Sequence, residues 1–192
     1  MRVPWCLCDA IPHVSNETEI VIVRHHFESW RASGTARMAE RALARCTIIE
    51  AGPDWRHTNE LLPAGPGWLL FPDGEAVEQL GPPPDRLFVL DGTWREVRRM
   101  LRRLPALWPA PRLALPAKSK APLRLRRAPA AEQRSTLEAI GDALEVLEGP
   151  TIAAPLAQLH QRFVEHSLRA RGAWTYRGSD APEEVPAHGF EP

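Results

Sequence analysis

The sequence predicts an α/β protein with a mainly parallel sheet and helices on both faces. Three observations carry this expectation. Five short runs of β-branched and aliphatic residues recur along the chain, stretches of helix formers lie between them, and two helical stretches open with capping boxes. Alternation of this kind is the pattern of parallel βαβ units, whose strands are covered on both sides and so read as continuous apolar runs.

The first two runs are residues 19–24 (EIVIVR) and 46–50 (CTIIE). Between them, residues 35–45 (TARMAERALAR) are rich in helix formers, with Met38, Leu43 and the alanines supplying an apolar stripe. Residues 67–71 (GWLLF), 86–90 (RLFVL) and 111–115 (PRLAL) read as three further strands. Thr93 to Leu104 reads as a helix capped by Thr93 with Glu96; Val97, Met100, Leu101 and Leu104 face the core and arginines the other side. Ser135 to Leu147, capped by Ser135 with Glu138, and Ile152 to Arg171 complete the helices. There are no internal repeats and no clear domain boundary. Residues 1–172 are expected to form one domain, and the acidic, proline-bearing residues 173–192 a flexible tail.

The chain of 192 residues is long enough to bury a proper core, and its 44% apolar and 25% charged residues are ordinary for a soluble protein. No apolar run approaches the roughly 20 residues that cross a bilayer, and three cysteines are too few for a secreted disulfide framework. A cytosolic location with no membrane partner is the expectation, and nothing points to an obligate protein partner. A net charge of zero hides an uneven distribution. Arg95, Arg98, Arg99, Arg102, Arg103, Arg112, Lys118, Lys120, Arg124, Arg126, Arg127 and Arg134 are opposed in that interval only by Glu96 and Glu132. Such asymmetry suits a polyanionic partner, or else a solvated arginine-rich face.

In open α/β sheets, ligands bind outside the carboxyl ends of the strands. Phe71-Pro72-Asp73-Gly74, Asp91-Gly92-Thr93-Trp94 and the aperiodic stretch from Pro116 to Arg134 are expected there. Asp91 precedes a helix whose cap is already supplied by Thr93, so its carboxylate is available as a general base. Trp94 either stacks on a base or cofactor or anchors the core with Val97 and Leu101.

The motif Asp91-x-Thr93-Trp94 resembles the one for which the DTW-domain family is named. Cys6-Leu7-Cys8-Asp9-Ala10-Ile11-Pro12, His25 to Glu28, Ser33 to Arg37, Phe71-Pro72, Arg126-Arg127-Ala128-Pro129 and Ser135-Thr136-Leu137-Glu138-Ala139 resemble further family segments in order, from residue 5 to about 171. The resemblance implies a fold related to the SPOUT methyltransferases, with a C-terminal trefoil knot. It implies a tRNA-uridine aminocarboxypropyltransferase, which moves the 3-amino-3-carboxypropyl group of S-adenosylmethionine to N3 of a uridine and releases methylthioadenosine. Asp91 would be the base. Leu70, Phe71, Pro72, Leu115, Pro116 and Leu137 would surround the adenosine, with Thr93 and Trp94 beside it. Ser135 and Thr136, at a helix amino end, would receive the methionyl carboxylate. Arg95, Arg98, Arg99, Arg102 and Arg103, with Lys118, Lys120, Arg124, Arg126 and Arg127, would hold tRNA phosphates.

The chain departs from the family pattern in two places. Members commonly carry a further Cys-x-x-Cys upstream of the Cys-x-Cys that Cys6 and Cys8 match; without that pair no zinc is expected unless His13 or Cys46 contributes. Gly34 and Ala36 replace the usual Asn and Gly of the threonine-bearing turn, although Thr35 and Arg37 remain. Two rival readings stay open: a methyltransferase using the same crevice with another cofactor pose, and a non-catalytic RNA-binding protein.

Overall fold

The computed structural model describes residues 6–31, 34–117 and 134–170. Five strands form one sheet: β1 (Glu19–His25), β2 (Cys46–Ala51), β3 (Trp68–Glu75), β4 (Arg86–Asp91) and β5 (Arg112–Leu113). Their order is β2-β1-β4-β3-β5 and every pairing is parallel. Six α-helices are present among the described residues: α1 (Ala36–Ala42), α2 (Trp55–Leu61), α3 (Val77–Leu80), α4 (Trp94–Arg103), α5 (Thr136–Glu148) and α6 (Pro150–Ala170).

Side chains alternate across a strand, and the core divides accordingly. Ile20, Ile22, Trp68, Leu87 and Val89 point to one face, where Ala36, Ala39 and Ala42 of α1, Leu137, Ile140, Ala143 and Leu144 of α5, and Leu156 and Leu159 of α6 cover them. Val21, Val23, Leu69 and Phe88 point to the other, beneath Val97 and Met100 of α4 and the following Leu104. The expected parallel sheet with helices on both faces is the observed one. Each such aliphatic side chain, fully buried, stabilises the fold by about 1.5–3 kcal/mol.

Several boundaries differ from the sequence expectation. β3 does not stop at Phe71 but runs to Glu75, pairing with β5 through a register shift between Leu70 and Glu75. Pro72 lacks a ladder donor, and such an irregular edge is where a strand tolerates proline. Gly74 makes the close approach possible: a Cβ there would collide with the Arg112 carbonyl and stand 2.9 Å from the Ala114 nitrogen. β5 is shorter than residues 111–115, and α1 ends at Ala42 because Leu43 turns extended to bridge Val14. α6 starts at Pro150, whose missing N–H costs nothing at the first helical position, and not at Ile152. Between α5 and α6, Gly149 holds φ at +96°, a conformation that disfavours other residues. The sequence expectation lacked α2, capped by Asp54 accepting from the His57 N–H at 3.0 Å, and α3. Among the described residues no helix is long and apolar enough to cross a membrane.

Candidate active site

All strands being parallel, their carboxyl ends share one edge, and the acid that closes β4 lies there. The parity that sends Ile20 and Ile22 toward α5 also sends Arg24; the parity of Leu87 and Val89 sends Asp91, and that of Cys46 and Ile48 sends Glu50. The pairing registers Arg24 with Glu50 on one side and Asp91 on the other. A row Glu50–Arg24–Asp91 therefore crosses one face of the sheet at its carboxyl edge. Arg24 Nε donates to Glu50 Oε1 at 3.0 Å, so the buried guanidinium is neutralised within the row.

Asp91 is only 7% exposed. Its Oδ1 accepts a hydrogen bond from the Thr136 hydroxyl, 45 residues away in sequence. Among the described residues Oδ2 has no hydrogen-bond partner. Burial raises the carboxyl pKa above its ordinary value, while the Thr136 hydroxyl and the charge of Arg24 oppose the shift. Oδ2 is buried as well as unpartnered, so it is the oxygen left to accept a proton from a donor that reaches it inside the protein.

Thr136 reaches Asp91 because α5 starts above the end of β4. Ser135 caps that helix, accepting from the Glu138 N–H at 3.3 Å while its own N–H donates to Glu138 Oε2 at 2.9 Å. Glu138 Oε2 also stands 3.6 Å from His160 Nε2 of α6, tying the cap to the next helix. The Leu137 N–H donates to Thr35 Oγ1 at 3.1 Å, and Leu137 itself is core. Thr35, buried at the start of α1, thus holds the amino end of α5 in place. Arg134 fixes the approach to it, donating to Asp142 Oδ2 at 2.6 Å and to the Pro116 carbonyl.

The opposite face of the same edge has different chemistry. His25 has the parity of Val21 and Val23 and lies toward α4, with Nδ1 3.8 Å from Glu96 Oε1. Burial holds the imidazole below its usual pKa. Glu96 closes the cap of α4, accepting from both the Thr93 N–H and the Thr93 hydroxyl at 2.7 Å. His25 Nδ1 also accepts from the Phe27 N–H at 3.4 Å, and Glu28 pairs with Arg31 at 2.7 Å, so both order the turn after β1. Trp94, 42% exposed, meets Phe71 edge to face with ring centres 6.3 Å apart. Phe71, Pro72, Asp73, Trp94, Arg98, Leu101 and Arg102 line an open cavity of about 530 Å³.

The structure thus brings Asp91, Thr136, Ser135 and Pro116 to one side of the edge and Phe71, Thr93 and Trp94 to the other. Leu70 and Leu115 are half-buried against the α5 side of the core. Trp94 is exposed and does not serve as the core anchor that was one of its two expected roles. Arg95, Arg98, Arg99, Arg102 and Arg103 are all exposed along α4. Ser33, Lys118, Lys120, Arg124, Arg126, Arg127 and the tail 173–192 lie outside the described residues. Among the described residues no cluster of His, Cys, Asp and Glu is suited to a metal. Cys6 and Cys8 are exposed with sulfurs 3.1 Å apart, and burial pushes the Cys46 thiol up to about 12. Arg24 and Glu50 are the site residues that sequence reasoning passed over. Their signal was a charge closing each of two apolar strands.

The model of the DTW domain family matches residues 1–168. tRNA-uridine aminocarboxypropyltransferase 2 of Drosophila melanogaster is 29% identical over 187 residues, covering 85% of this chain and 74% of that protein. tRNA-uridine aminocarboxypropyltransferase A of Arabidopsis thaliana is 29% identical over 121 residues, 50% of this chain and 46% of that protein. The chain thus matches about half the length of the plant relative. No solved structure matches the chain.

Proposed function

The chain belongs to the DTW-domain family, and from that premise we propose that it is a tRNA-uridine aminocarboxypropyltransferase. In this reading it transfers the 3-amino-3-carboxypropyl group of S-adenosylmethionine to N3 of a tRNA uridine and releases methylthioadenosine. The names of its relatives support the substrate and the reaction class. The observation that carries the mechanism is the Asp91 carboxylate, with Oδ1 held by Thr136 and Oδ2 unpartnered among the described residues.

Uridine N3 carries an imide proton and attacks poorly until that proton leaves. Asp91 Oδ2 takes the proton as N3 bonds to the carbon beside the sulfonium. The carbon–sulfur bond breaks and its electron pair stays on sulfur, so charge and atoms balance. Bound S-adenosylmethionine supplies an already activated carbon, and the reaction needs no covalent enzyme intermediate. Thr136 keeps the carboxylate oriented, and Arg24 counters the rise that burial imposes on its pKa. The remainder is positioning of N3 against the reacting carbon, which can account for several kcal/mol.

The donor would lie on the Asp91 side of the edge. The side chains of Leu115 and Pro116 would border the adenosine over a floor of Leu70 and Leu137, and its methionyl end would point toward Thr136 and the Ser135 cap. Thr93 serves α4 as its cap. Exposed Arg95, Arg98, Arg99, Arg102 and Arg103 would meet tRNA phosphates, and Lys118, Lys120, Arg124, Arg126 and Arg127 would extend that surface. A SPOUT-like trefoil knot and a cytosolic location belong to the same proposal. The family resemblance supports the first, and three free cysteines fit the second.

Incubating the protein with tRNA and S-adenosylmethionine and identifying the small product tests the reading. Methylthioadenosine is expected. Adenosylhomocysteine would make the protein a methyltransferase, and tRNA binding without either product would leave it a binding protein.

A further inference from the structure

The cavity between the end of β3 and α4 joins two features that the proposed reading keeps apart, an aromatic pair and a pair of arginines. Arg98 and Arg102 are one helical turn apart and so project from the same side of α4. Phe71 and Trp94 present ring surfaces below them, edge to face at 86°. Phe71 is fixed from behind by Arg112, whose guanidinium carbon lies 5.4 Å from the ring centre. Among the described residues the only carboxylate in the lining is Asp73, both of whose oxygens accept from one nitrogen, Arg112 Nη1, at 2.9 Å. The cavity thus keeps two cations beside a ring pair and has no unneutralised acid among the described residues that line it.

We propose that this cavity is a nucleotide subsite, taking one base and the adjoining phosphate of the RNA substrate next to the reacting uridine; it rests on the proposed transferase reading. The volume of about 530 Å³ is within the range of small-molecule pockets and accommodates a nucleotide. Charge decides between the two ligands of the reaction. S-adenosylmethionine carries a sulfonium, an ammonium and one carboxylate, so it is a net cation and is repelled by Arg98 and Arg102. A nucleotide brings an anion for the arginines and a π-face for Trp94. Trp94 opens α4 three residues after Asp91, on the other side of the same sheet edge, so a base on its ring would lie across that edge from a uridine held at Asp91. Every nucleobase has such a face, so the subsite fixes position without reading sequence.

The test measures tRNA affinity, S-adenosylmethionine affinity and the tRNA KM for wild type, Trp94→Leu, Trp94→Phe and the double variant Arg98→Gln with Arg102→Gln, with adenosine monophosphate as a free-nucleotide arm. Trp94→Leu is expected to weaken tRNA binding about tenfold while S-adenosylmethionine binding stays within about twofold, and Trp94→Phe should recover most of the loss because it restores a ring. The double variant should weaken tRNA and lower its salt dependence. The proposal is overturned if Trp94→Leu weakens S-adenosylmethionine and spares tRNA, or if leucine and phenylalanine behave alike. Adenosine monophosphate binding as tightly as tRNA and as dependently on Trp94 would also overturn it, assigning the cavity to free nucleotides. Trp94-dependent tRNA binding without methylthioadenosine would defeat the transferase reading and leave the subsite standing; a wild-type protein that does not bind tRNA would defeat both.

Discussion

Replacing Asp91 with asparagine separates chemistry from architecture more cleanly than any other single change. The amide has the shape of the carboxylate, and its oxygen can still accept from the Thr136 hydroxyl. What disappears is the basic oxygen, while the new amide NH₂ occupies the position of Oδ2, which has no partner among the described residues. Leaving that donor unsatisfied costs about 1–3 kcal/mol, but the substitution also removes the cost of burying a charge at a site 7% exposed. The two nearly offset, so unfolding free energy at neutral pH should change by no more than about 1 kcal/mol.

The pH dependence has a definite sign. Because burial raises the folded pKa of Asp91, its contribution to stability is fully present below the ordinary carboxylate range and is lost as pH rises through the folded value. The asparagine variant lacks that loss and should gain on wild type in urea titrations between acidic and neutral pH. A positioned base contributes about 10²–10⁴-fold, or roughly 3–5 kcal/mol of barrier, and single-turnover transfer to tRNA should slow by that factor. Activity within about twofold of wild type would remove Asp91 from the mechanism. A stability loss above about 3 kcal/mol would make it a structural acid instead.

Other perturbations reach the supports of the site. Thr136→Val removes the hydroxyl that favours the ionised carboxyl, so the acid limb of the pH–kcat/KM profile should move to higher pH and neutral activity fall about tenfold; the Ser135 cap remains, limiting the stability change to about 1 kcal/mol. Arg24→Gln strips Glu50 and Asp91 of their shared cation, which should move the same limb further and destabilise the fold by about 3 kcal/mol in urea titrations. Gly74→Ala drives a methyl into the Arg112 carbonyl and should cost about 1–3 kcal/mol in thermal unfolding. Arg98→Glu with Arg102→Glu should weaken tRNA binding and reduce its logarithmic salt slope by about 1.5; an unchanged slope would return both to a solvated face.

The sheet was legible because parallel strands are buried on both sides, and Ile20 to Val23 or Leu87 to Val89 advertise that as unbroken apolar runs. Both capping boxes read true for the same local reason, since the paired side chains are three residues apart. α2 escaped because only Thr58 of Trp55–Leu61 is buried, leaving no apolar period to read; its cap, Asp54, was the one available signal. Pro72 and Gly74 looked like the end of a strand because punctuation residues cannot reveal a bulge that another strand completes. In the site, Asp91 stood out by position and Thr136 by its helix amino end, whereas the pairing between them, and the presence of Arg24 and Glu50, did not. Arg24 and Glu50 join it only through strand order, Thr136 through a 45-residue separation, and Thr35 reaches Leu137 across 102 residues. Such contacts depend on topology, which local pattern does not encode.

On the proposed function this chain moves the aminocarboxypropyl group, and not the methyl group, with Asp91 as the base. Two preparations of S-adenosylmethionine test it, one labelled in the carboxyl carbon and one in the methyl carbon, each incubated with tRNA and either wild-type or Asp91→Asn protein. Carboxyl label should enter tRNA with wild type, methyl label should not, and the variant should transfer neither. Methyl label in the tRNA, or undiminished carboxyl transfer by the variant, would contradict the account.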